Sequence, residues 1–210
     1  MTNEIITIKE NCESKIEVKK SVFIAHLIRV SSEDDAKEKL DEIRKEYKDA
    51  THNVPAYRVL DTEKNMIIEK ASDDGEPQGT SGMPILNLLQ HKNMLNVLLV
   101  VTRYFGGTLL GTGGLVKAYT DSAKMVIENS ELVTLNLLKH YNVKSNYDSF
   151  NKLKKRFEDN KFLIENINYN IDISFDLYIK DNDNEQNILN EIIKEYDNEI
   201  IINELDKIFK

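Results

Sequence analysis

The pattern of apolar and polar positions predicts a succession of strands and helices along the chain. Between about residues 4 and 30, apolar stretches rich in β-branched residues indicate two or three strands. Ser32 stands three residues before Asp35, which approximates a capping box, and apolar residues then recur at helical spacing up to Tyr47. We therefore expect an amphipathic helix after these strands.

A hairpin and a short helix are predicted next. Residues 56–60 and 66–70 are apolar-rich stretches on either side of the turn-like segment 61–65, which is the pattern of a β-hairpin. The segment 72–82 is predicted to be a loop. A short helix is expected over about 84–91, because a proline at its start suits the first helical turn.

The run 96–101 is continuously apolar, which predicts a strand covered on both faces. A glycine-rich loop leads from this strand into a helix over about 113–129, whose apolar residues recur at helical spacing and form a stripe. These two elements complete the first predicted domain.

The last third of the chain has a different composition, without glycine or proline and with many asparagines. Its pattern predicts strand, helix, strand, strand, helix and strand; the third strand is a period-2 run at 171–179 and the last is at 200–202. This β-α-β-β-α-β order is the ferredoxin-like signature. We therefore predict two α+β domains, 1–134 and 135–210.

Composition indicates an ordinary globular protein, with 210 residues, 40% hydrophobic and 30% charged. No run approaches the roughly 20 apolar residues of a membrane span. The first residues are neither basic nor apolar, so we expect no secretory signal and a cytoplasmic location. Cys12 is the only cysteine, which excludes an internal disulfide framework and a cysteine-based zinc site. We expect no metal and no cofactor.

The net charge of −8 disfavours a protein that coats nucleic acid nonspecifically. We expect neither DNA nor a membrane as a partner, while a local basic patch for RNA remains open. In the second domain, Lys152, Lys155 and Arg156 are predicted to project from the outer face of a helix.

All eight glycines lie between Gly75 and Gly114. Amides at a helix start face outward unsatisfied, and glycine lets an anion approach them, so the loop before the second long helix is a candidate anion or RNA site. Its candidate residues are Arg103, Gly106, Gly107, Gly111, Thr112, Gly113, Gly114 and Lys117. The alternative is that these glycines only allow turning and close packing. Gly106 and Gly111 have the spacing of a Walker A loop, but Thr112 stands where that loop requires lysine, and residues 111–114 do not supply a dinucleotide fingerprint.

A second candidate is the acidic loop with Asp73, Asp74 and Glu76. Three carboxylates this close are able to hold magnesium or to serve acid–base chemistry. Alternatively, they form a turn in which they pair with Arg103 or cap the following helix. His52 is a possible base or RNA contact, or a hydrogen-bonding residue of its loop. We assign no catalytic residue.

The segments 71–86 and 101–119 resemble the specific motifs of the YigZ/IMPACT family, supported by 20–25, 50–53 and 56–58. The last of these adds Arg58 as a possible site residue. The resemblance covers essentially the whole chain. It implies an amino-terminal domain of the ribosomal-protein and elongation-factor-G domain IV type, with a left-handed β-α-β crossover. It also implies a carboxy-terminal domain like the last ferredoxin-like domain of elongation factor G.

The resemblance also implies a connection to translation, but no mechanism. Eukaryotic relatives act in translational control by binding a ribosome-associated activator and thereby restraining an initiation-factor kinase. The leading hypothesis is a non-enzymatic regulator that binds RNA or a ribosome-associated protein. The alternative is an enzyme for a small phosphorylated or carboxylated metabolite, with a pocket where the two loops converge. A third possibility, binding of protein alone, requires an exposed apolar patch.

Overall fold

The computed structural model describes residues 4–61, 64, 66–196 and 199–210. Two compact units are formed: Ile5–Thr134, and a smaller one made of Leu135–Lys210 with Glu4. Each combines helices with an antiparallel sheet, so the predicted two-domain α+β fold is confirmed. The domain limits 1–134 and 135–210 stay a prediction. In the described part of the chain, no helix is long and apolar enough to cross a membrane.

The first unit is a five-stranded sheet with helices on both faces. Across the sheet, its strands are β2 (Cys12–Val18), β3 (Ser21–Arg29), β6 (Val97–Tyr104), β4 (His52–Asp61) and β5 (Met66–Ala71). Its helices are α1 (Glu33–Glu46), α2 (Gly82–His91) and α3 (Gly111–Asn129), and β1 (Glu4–Ile8) precedes them. Neighbouring strands are antiparallel, so β3 and β4 run parallel on either side of β6 and α1 joins them in a crossover.

Strand β6 is covered on both faces, as its apolar run predicts. Val97, Leu99 and Val101 belong to the core that includes α2 and α3, whereas Leu98 and Val100 belong to the core that includes α1. All five residues are fully buried. Because successive side chains of a strand point to opposite faces, a strand between two helical layers must be apolar at every position.

The element boundaries differ from the predicted ones by small amounts. Ser32 caps α1 by accepting a hydrogen bond from the N–H of Asp35 (3.1 Å), as predicted. Helices α2 and α3 begin at Gly82 and Gly111, each two residues before the predicted start. The hairpin of β4 and β5 is confirmed, but residues 62, 63 and 65 of its predicted turn lie outside the described residues.

The second unit has the predicted ferredoxin-like topology. It contains β7 (Leu132–Ser145) from Leu135 onward, α4 (Tyr147–Asp159), β8 (Leu163–Tyr169), β9 (Ile173–Lys180), α5 (Asp183–Glu195) and β10 (Ile200–Phe209). The strand order β10-β7-β9-β8 is antiparallel at each step. Ile171 was predicted to begin the third strand of this domain, which is wrong. It lies in a turn closed by a hydrogen bond between Asn170 and Asp172, and is 95% exposed.

Arg58, a possible site residue, lies on β4 and holds the end of α2. Its side chain is 8% exposed, and Nη1 donates hydrogen bonds to the carbonyls of Leu89 (3.3 Å) and Met94 (2.9 Å). Its Nε donates to Glu69 Oε1 at 2.6 Å. Leu89 lies in the last turn of α2, whose carbonyls have no partner within the helix. Arg58 therefore connects the carboxy-terminal end of α2 to the sheet.

Replacing Arg58 by Met is expected to lower the free energy of unfolding by about 1–3 kcal/mol, because the carbonyl of Met94 loses the donor that Arg58 provides and the carbonyl of Leu89 keeps only the N–H of Met94. Urea denaturation measures the change. Glu69→Gln is the matched control, since it keeps an acceptor for Arg58 and removes only a partly exposed charge; we expect a loss below about 1 kcal/mol. Equal losses in the two variants would contradict this role of Arg58.

Candidate functional site

Asp73 of the acidic loop caps helix α2. Its carboxylate accepts hydrogen bonds from the N–H groups of Gly79 (2.7 Å), Ser81 (3.1 Å) and Gly82 (2.9 Å), and from Ser81 Oγ (2.8 Å). Burial by itself would raise the pKa of Asp73, but these hydrogen bonds outweigh it and hold the pKa below its usual value. The carboxylate therefore stays ionised and closes the loop on the first turn of α2.

Asp74 connects the loop to α1 and β4. Its carboxylate accepts hydrogen bonds from the N–H of Asn53 (2.7 Å) and from Arg44 Nη2 (2.9 Å). Its carbonyl oxygen lies 2.8 Å from His52 Nδ1. A carbonyl only accepts, so His52 Nδ1 carries a proton in this hydrogen bond. His52 Nε2 lies 3.8 Å from Glu76 Oε1.

Glu76 is the centre of a buried network. Its Oε1 accepts hydrogen bonds from Arg103 Nη1 (2.5 Å) and from Tyr119 Oη (2.7 Å). The side chains of Glu76 and Arg103 are 3% and 6% exposed. Burial, with the nearby Glu76 carboxylate, raises the pKa of Tyr119, so its hydroxyl remains a donor. Because Arg103 lies on β6 and Tyr119 on α3, one carboxylate fixes the acidic loop to both elements.

The three carboxylates of the acidic loop thus have separate partners. Asp73 caps a helix, Asp74 bonds to Arg44, and Glu76 pairs with Arg103. These contacts hold the loop to α1, α2 and β6. Among the residues that the structure describes, no group of three or more His, Cys, Asp or Glu side chains is placed to hold a metal ion.

The glycine-rich loop packs tightly at one position and turns at another. A Cβ on Gly106 would lie 2.0 Å from the backbone carbonyl carbon of Lys20, and the N–H of Gly106 donates to Ser21 Oγ at 3.1 Å. Gly111 has φ +73°, which side chains disfavour. A Cβ on Gly113, in contrast, would meet nothing within 4 Å. Close packing therefore explains the glycine at position 106, and the positive φ explains the one at 111. Neither reason applies to Gly113.

The two basic residues among the candidates of the anion site, Arg103 and Lys117, have partners within the chain. Arg103 pairs with Glu76, and Lys117 Nζ lies 2.8 Å from Asp121 Oδ2 on the exposed side of α3. Gly107 precedes α3, while Thr112, Gly113 and Gly114 lie in its first turn. Arg103 is therefore held in a buried pair, whereas the pair of Lys117 is exposed and of a kind that contributes little.

The two loops meet at a cleft of about 430 Å³ in the first unit. One part of its lining is polar, with Thr51, His52, Glu76 and Arg103. The remainder is mostly apolar, with Pro77, Phe105, Leu109, Leu110 and Leu115 beside Gly111 and Thr112 of α3. Leu109 is 83% exposed and Phe105 46% exposed. The cleft thus combines an exposed apolar wall with a buried ion pair.

The predicted candidates contribute only part of this lining. The structure brings together His52, Glu76, Arg103, Gly111 and Thr112. The other candidates lie outside the lining: Arg58, Asp73, Asp74, Gly106, Gly107, Gly113, Gly114 and Lys117. The apolar wall was missed, although the sequence carries a signal for it. Large apolar residues in a glycine-rich loop have no helical or strand period that would bury them.

Comparison with known proteins assigns the unit that carries the cleft to a family. The model of the Impact N-terminal domain matches residues 19–127, which include both loops and every lining residue. The chain belongs to the IMPACT family. The predicted family is thereby confirmed.

Similarity to IMPACT family members extends beyond this domain. YvyE of Bacillus subtilis (strain 168) is 37% identical over 181 residues, which are 86% of this chain and 82% of that protein. YigZ of Escherichia coli (strain K12) is 36% identical over 131 residues, 62% of this chain and 64% of that protein. Protein IMPACT-B of Xenopus tropicalis is 39% identical over 95 residues, 44% of this chain but only 29% of that protein.

The IMPACT family fold is also found in solved structures. A crystal structure described as that of an hypothetical protein has a TM-score of 0.66 and 24% sequence identity, and the match covers 98% of this chain and 99% of the other. At this identity the likeness shows the fold alone.

The loop packing predicts opposite effects of two alanine substitutions. Gly106→Ala is expected to lower the free energy of unfolding by about 1–3 kcal/mol, because its Cβ would overlap the backbone of Lys20. Gly113→Ala is expected to raise it by up to about 1 kcal/mol, because alanine is the better helix former and its Cβ has room. Urea denaturation distinguishes them, and a loss at Gly113 would contradict the packing described here.

The lowered pKa of Asp73 predicts a pH-dependent contribution to stability. The folded-state pKa lies below the unfolded value of about 3.9, so the contribution is fully present above about pH 5 and is lost as the pH falls through the folded-state pKa. The stability difference between wild type and Asp73→Asn should therefore shrink below about pH 4. Chemical denaturation over a pH series measures it, with the exposed Asp34→Asn change as control. A difference that grows on acidification would contradict the cap.

Proposed function

We propose that this IMPACT family chain is a non-enzymatic regulator in translation that binds a ribosome-associated protein through the cleft. The link to translation comes from the family resemblance, since eukaryotic relatives act in translational control. Binding of a protein is supported by the cleft itself. Its apolar wall, with Phe105 at 46% and Leu109 at 83% exposure, is the observation that carries the proposal.

Charge favours a protein partner over RNA. Phosphate binding draws on lysine and arginine side chains that are free to face the ligand. In the cleft, Arg103 is 6% exposed and is paired with Glu76, while the nearby Lys117 is paired with Asp121. The basic residues Lys152, Lys155 and Arg156 are exposed on α4, in the other unit. We therefore propose that the cleft binds a protein. The co-sedimentation experiment below distinguishes this from RNA binding.

The enzyme alternative receives less support from the same geometry. A cavity does form where the two loops converge, and His52 and Glu76 line it. Glu76, however, is held by Arg103 and Tyr119, and Asp73 and Asp74 are engaged elsewhere. Those carboxylates thus already serve the fold. We therefore place binding, rather than acid–base chemistry, at the cleft.

Co-sedimentation with bacterial ribosomes tests the proposal. We expect the chain to pellet with unwashed ribosomes but not with ribosomes stripped by a high-salt wash. Pelleting should be restored when the proteins removed by the wash are added back. Binding should change little between about 0.05 and 0.2 M salt, whereas six or more phosphate contacts would lose about 10³-fold in affinity. Such a loss, or pelleting with stripped ribosomes, would indicate RNA instead.

Two substitutions of exposed apolar residues give a matched comparison for this experiment. Leu109→Asp places a charge on the apolar wall and is expected to abolish pelleting. Ile171→Asp changes a residue that is 95% exposed in the other unit and should leave pelleting unchanged. Both positions are exposed, so both variants should fold. Equal behaviour of the two variants would refute the role of the cleft.

A further inference from the structure

We infer that the cleft binds a tryptophan side chain of the partner protein, with the indole ring against the apolar wall and the indole N–H donating to Glu76 Oε2. The inference rests on the proposed function, because it specifies which side chain of the partner enters the cleft.

Glu76 has one carboxylate oxygen that the fold does not use. The residue lines the cleft, and its side chain is 3% exposed. Oε1 accepts the hydrogen bonds from Arg103 and Tyr119. Oε2 has no hydrogen-bond partner among the described residues, yet it is not one of the side-chain atoms that the fold seals from solvent. Buried polar atoms in folded proteins are nearly always satisfied. Glu76 therefore presents an acceptor that a ligand in the cleft is able to use.

The charge of the cleft favours an uncharged donor. Glu76 and Arg103 form a buried pair without net charge. Arg103 Nη2 donates to Ser21 Oγ (3.5 Å), and its Nε is sealed within the fold. A lysine or arginine of a partner would add an unbalanced charge beside this pair, which is unfavourable in a buried site. An anion would face the open oxygen of Glu76. A neutral N–H group avoids both penalties.

The apolar wall determines what must carry the N–H group. Phe105, Leu109, Leu110 and Leu115 line the cleft together with Glu76. The ligand therefore needs a large apolar body with a donor at its edge. Tryptophan combines the two, since its indole buries a large apolar surface and its N–H only donates. The cleft volume of about 430 Å³ lies near the lower end of small-ligand sites, which suits one large side chain.

The other aromatic side chains satisfy Glu76 less well. Phenylalanine has no donor, so it would displace water from Oε2 and leave this oxygen unpaired. The hydroxyl of tyrosine both donates and accepts, so its own oxygen would need a further donor in the cleft. Tryptophan is also among the residues that most often fill pockets at the centre of protein interfaces.

Peptide fluorescence tests the inference, because this chain contains no tryptophan of its own. The probe is the uncharged peptide acetyl-Gly-Gly-Trp-Gly-Gly-amide, titrated with the full chain. We expect saturable binding with a blue shift of the tryptophan emission, because the indole leaves water when it enters the cleft. Absence of a saturable shift would overturn the inference.

An isostere without the donor gives the decisive comparison. In the same peptide, 3-benzothienylalanine replaces the indole N–H by sulfur and keeps the shape of the ring system. We expect it to bind at least about tenfold more weakly, measured by competition with the tryptophan peptide, because a charge-assisted hydrogen bond is lost. Equal affinities would overturn the inference. Equal or tighter binding of a phenylalanine or tyrosine peptide would overturn it as well.

Leu109→Asp and Met125→Asp place the same charge inside and outside the proposed site. Met125 is 40% exposed and lies outside the lining, ten positions after Leu115 or about 15 Å along α3. Leu109→Asp should weaken binding of the tryptophan peptide at least about tenfold, because apolar contact with the wall is lost. Met125→Asp should bind like wild type, and circular dichroism checks that both variants fold. Equal binding by the two variants would contradict the inference.

Two further probes identify the source of the ring. In a protein, tryptophan is flanked by residues that are able to contact Leu109, whose side chain is 83% exposed. The peptide should therefore bind more tightly than free indole. If indole binds as tightly as the peptide, the site takes a free small molecule and the inference is wrong. If guanosine, a nucleoside with ring N–H groups, competes equally well, the assignment to protein is wrong.

The peptide and ribosome experiments fail independently. If the tryptophan peptide does not bind but Leu109→Asp still abolishes pelleting with unwashed ribosomes, the inference fails and the proposed function stands. If the tryptophan peptide binds selectively but the chain does not pellet, the proposed function fails, while the tryptophan site stands.

Discussion

The buried ion pair between Glu76 and Arg103, completed by the hydroxyl of Tyr119, is the interaction on which the cleft depends. Removing two charges from water is unfavourable, and the loss is offset only when each charge is paired and hydrogen-bonded in good geometry. Here one carboxylate oxygen receives both donors, from a strand and from a helix. The acidic loop, β6 and α3 are therefore held together at one point, and this point lies in the lining of the cleft.

The charged residues that the sequence marks as candidate site residues mainly hold secondary-structure elements together. Asp73 caps α2, Asp74 bonds to Arg44, and Arg58 holds the far end of α2. A carboxylate or guanidinium committed to such bonds is not free to bind a metal or a phosphate. What the loops leave exposed is the apolar wall formed with Phe105 and Leu109, together with the uncapped amides of α3. Because the polar side chains of the loops are bonded within the fold, the apolar wall and these amides remain as the exposed surface for binding.

Membership of the IMPACT family agrees with this distribution of features. The matched domain, residues 19–127, contains the ion pair, both loops and the whole lining of the cleft. The second unit is an antiparallel ferredoxin-like sheet with two helices, and its core is built around Phe150, Phe157 and Phe175. The two units therefore differ in their loops and strands. The first unit contains the glycine-rich loops, whereas the second consists mainly of regular strands with alternating apolar residues.

The sequence by itself determined the family, the order of elements and nearly all of their positions. Apolar periodicity is a local property, so the doubly buried β6, the capped α1 and the ferredoxin-like order could be predicted from it. The exceptions were Ile171, where the alternation continues into a turn, and β10, which runs to Phe209 beyond the predicted 200–202.

Only the tertiary structure decided which candidate residues meet. The partners of Glu76 lie 27 and 43 positions away along the chain, and no local pattern records that pairing. Nor does a sequence show that Leu109 stays exposed, because the exposure of a loop residue is set by the elements that pack around it. Local interactions therefore specify the elements, whereas the cleft arises from contacts between residues distant in sequence.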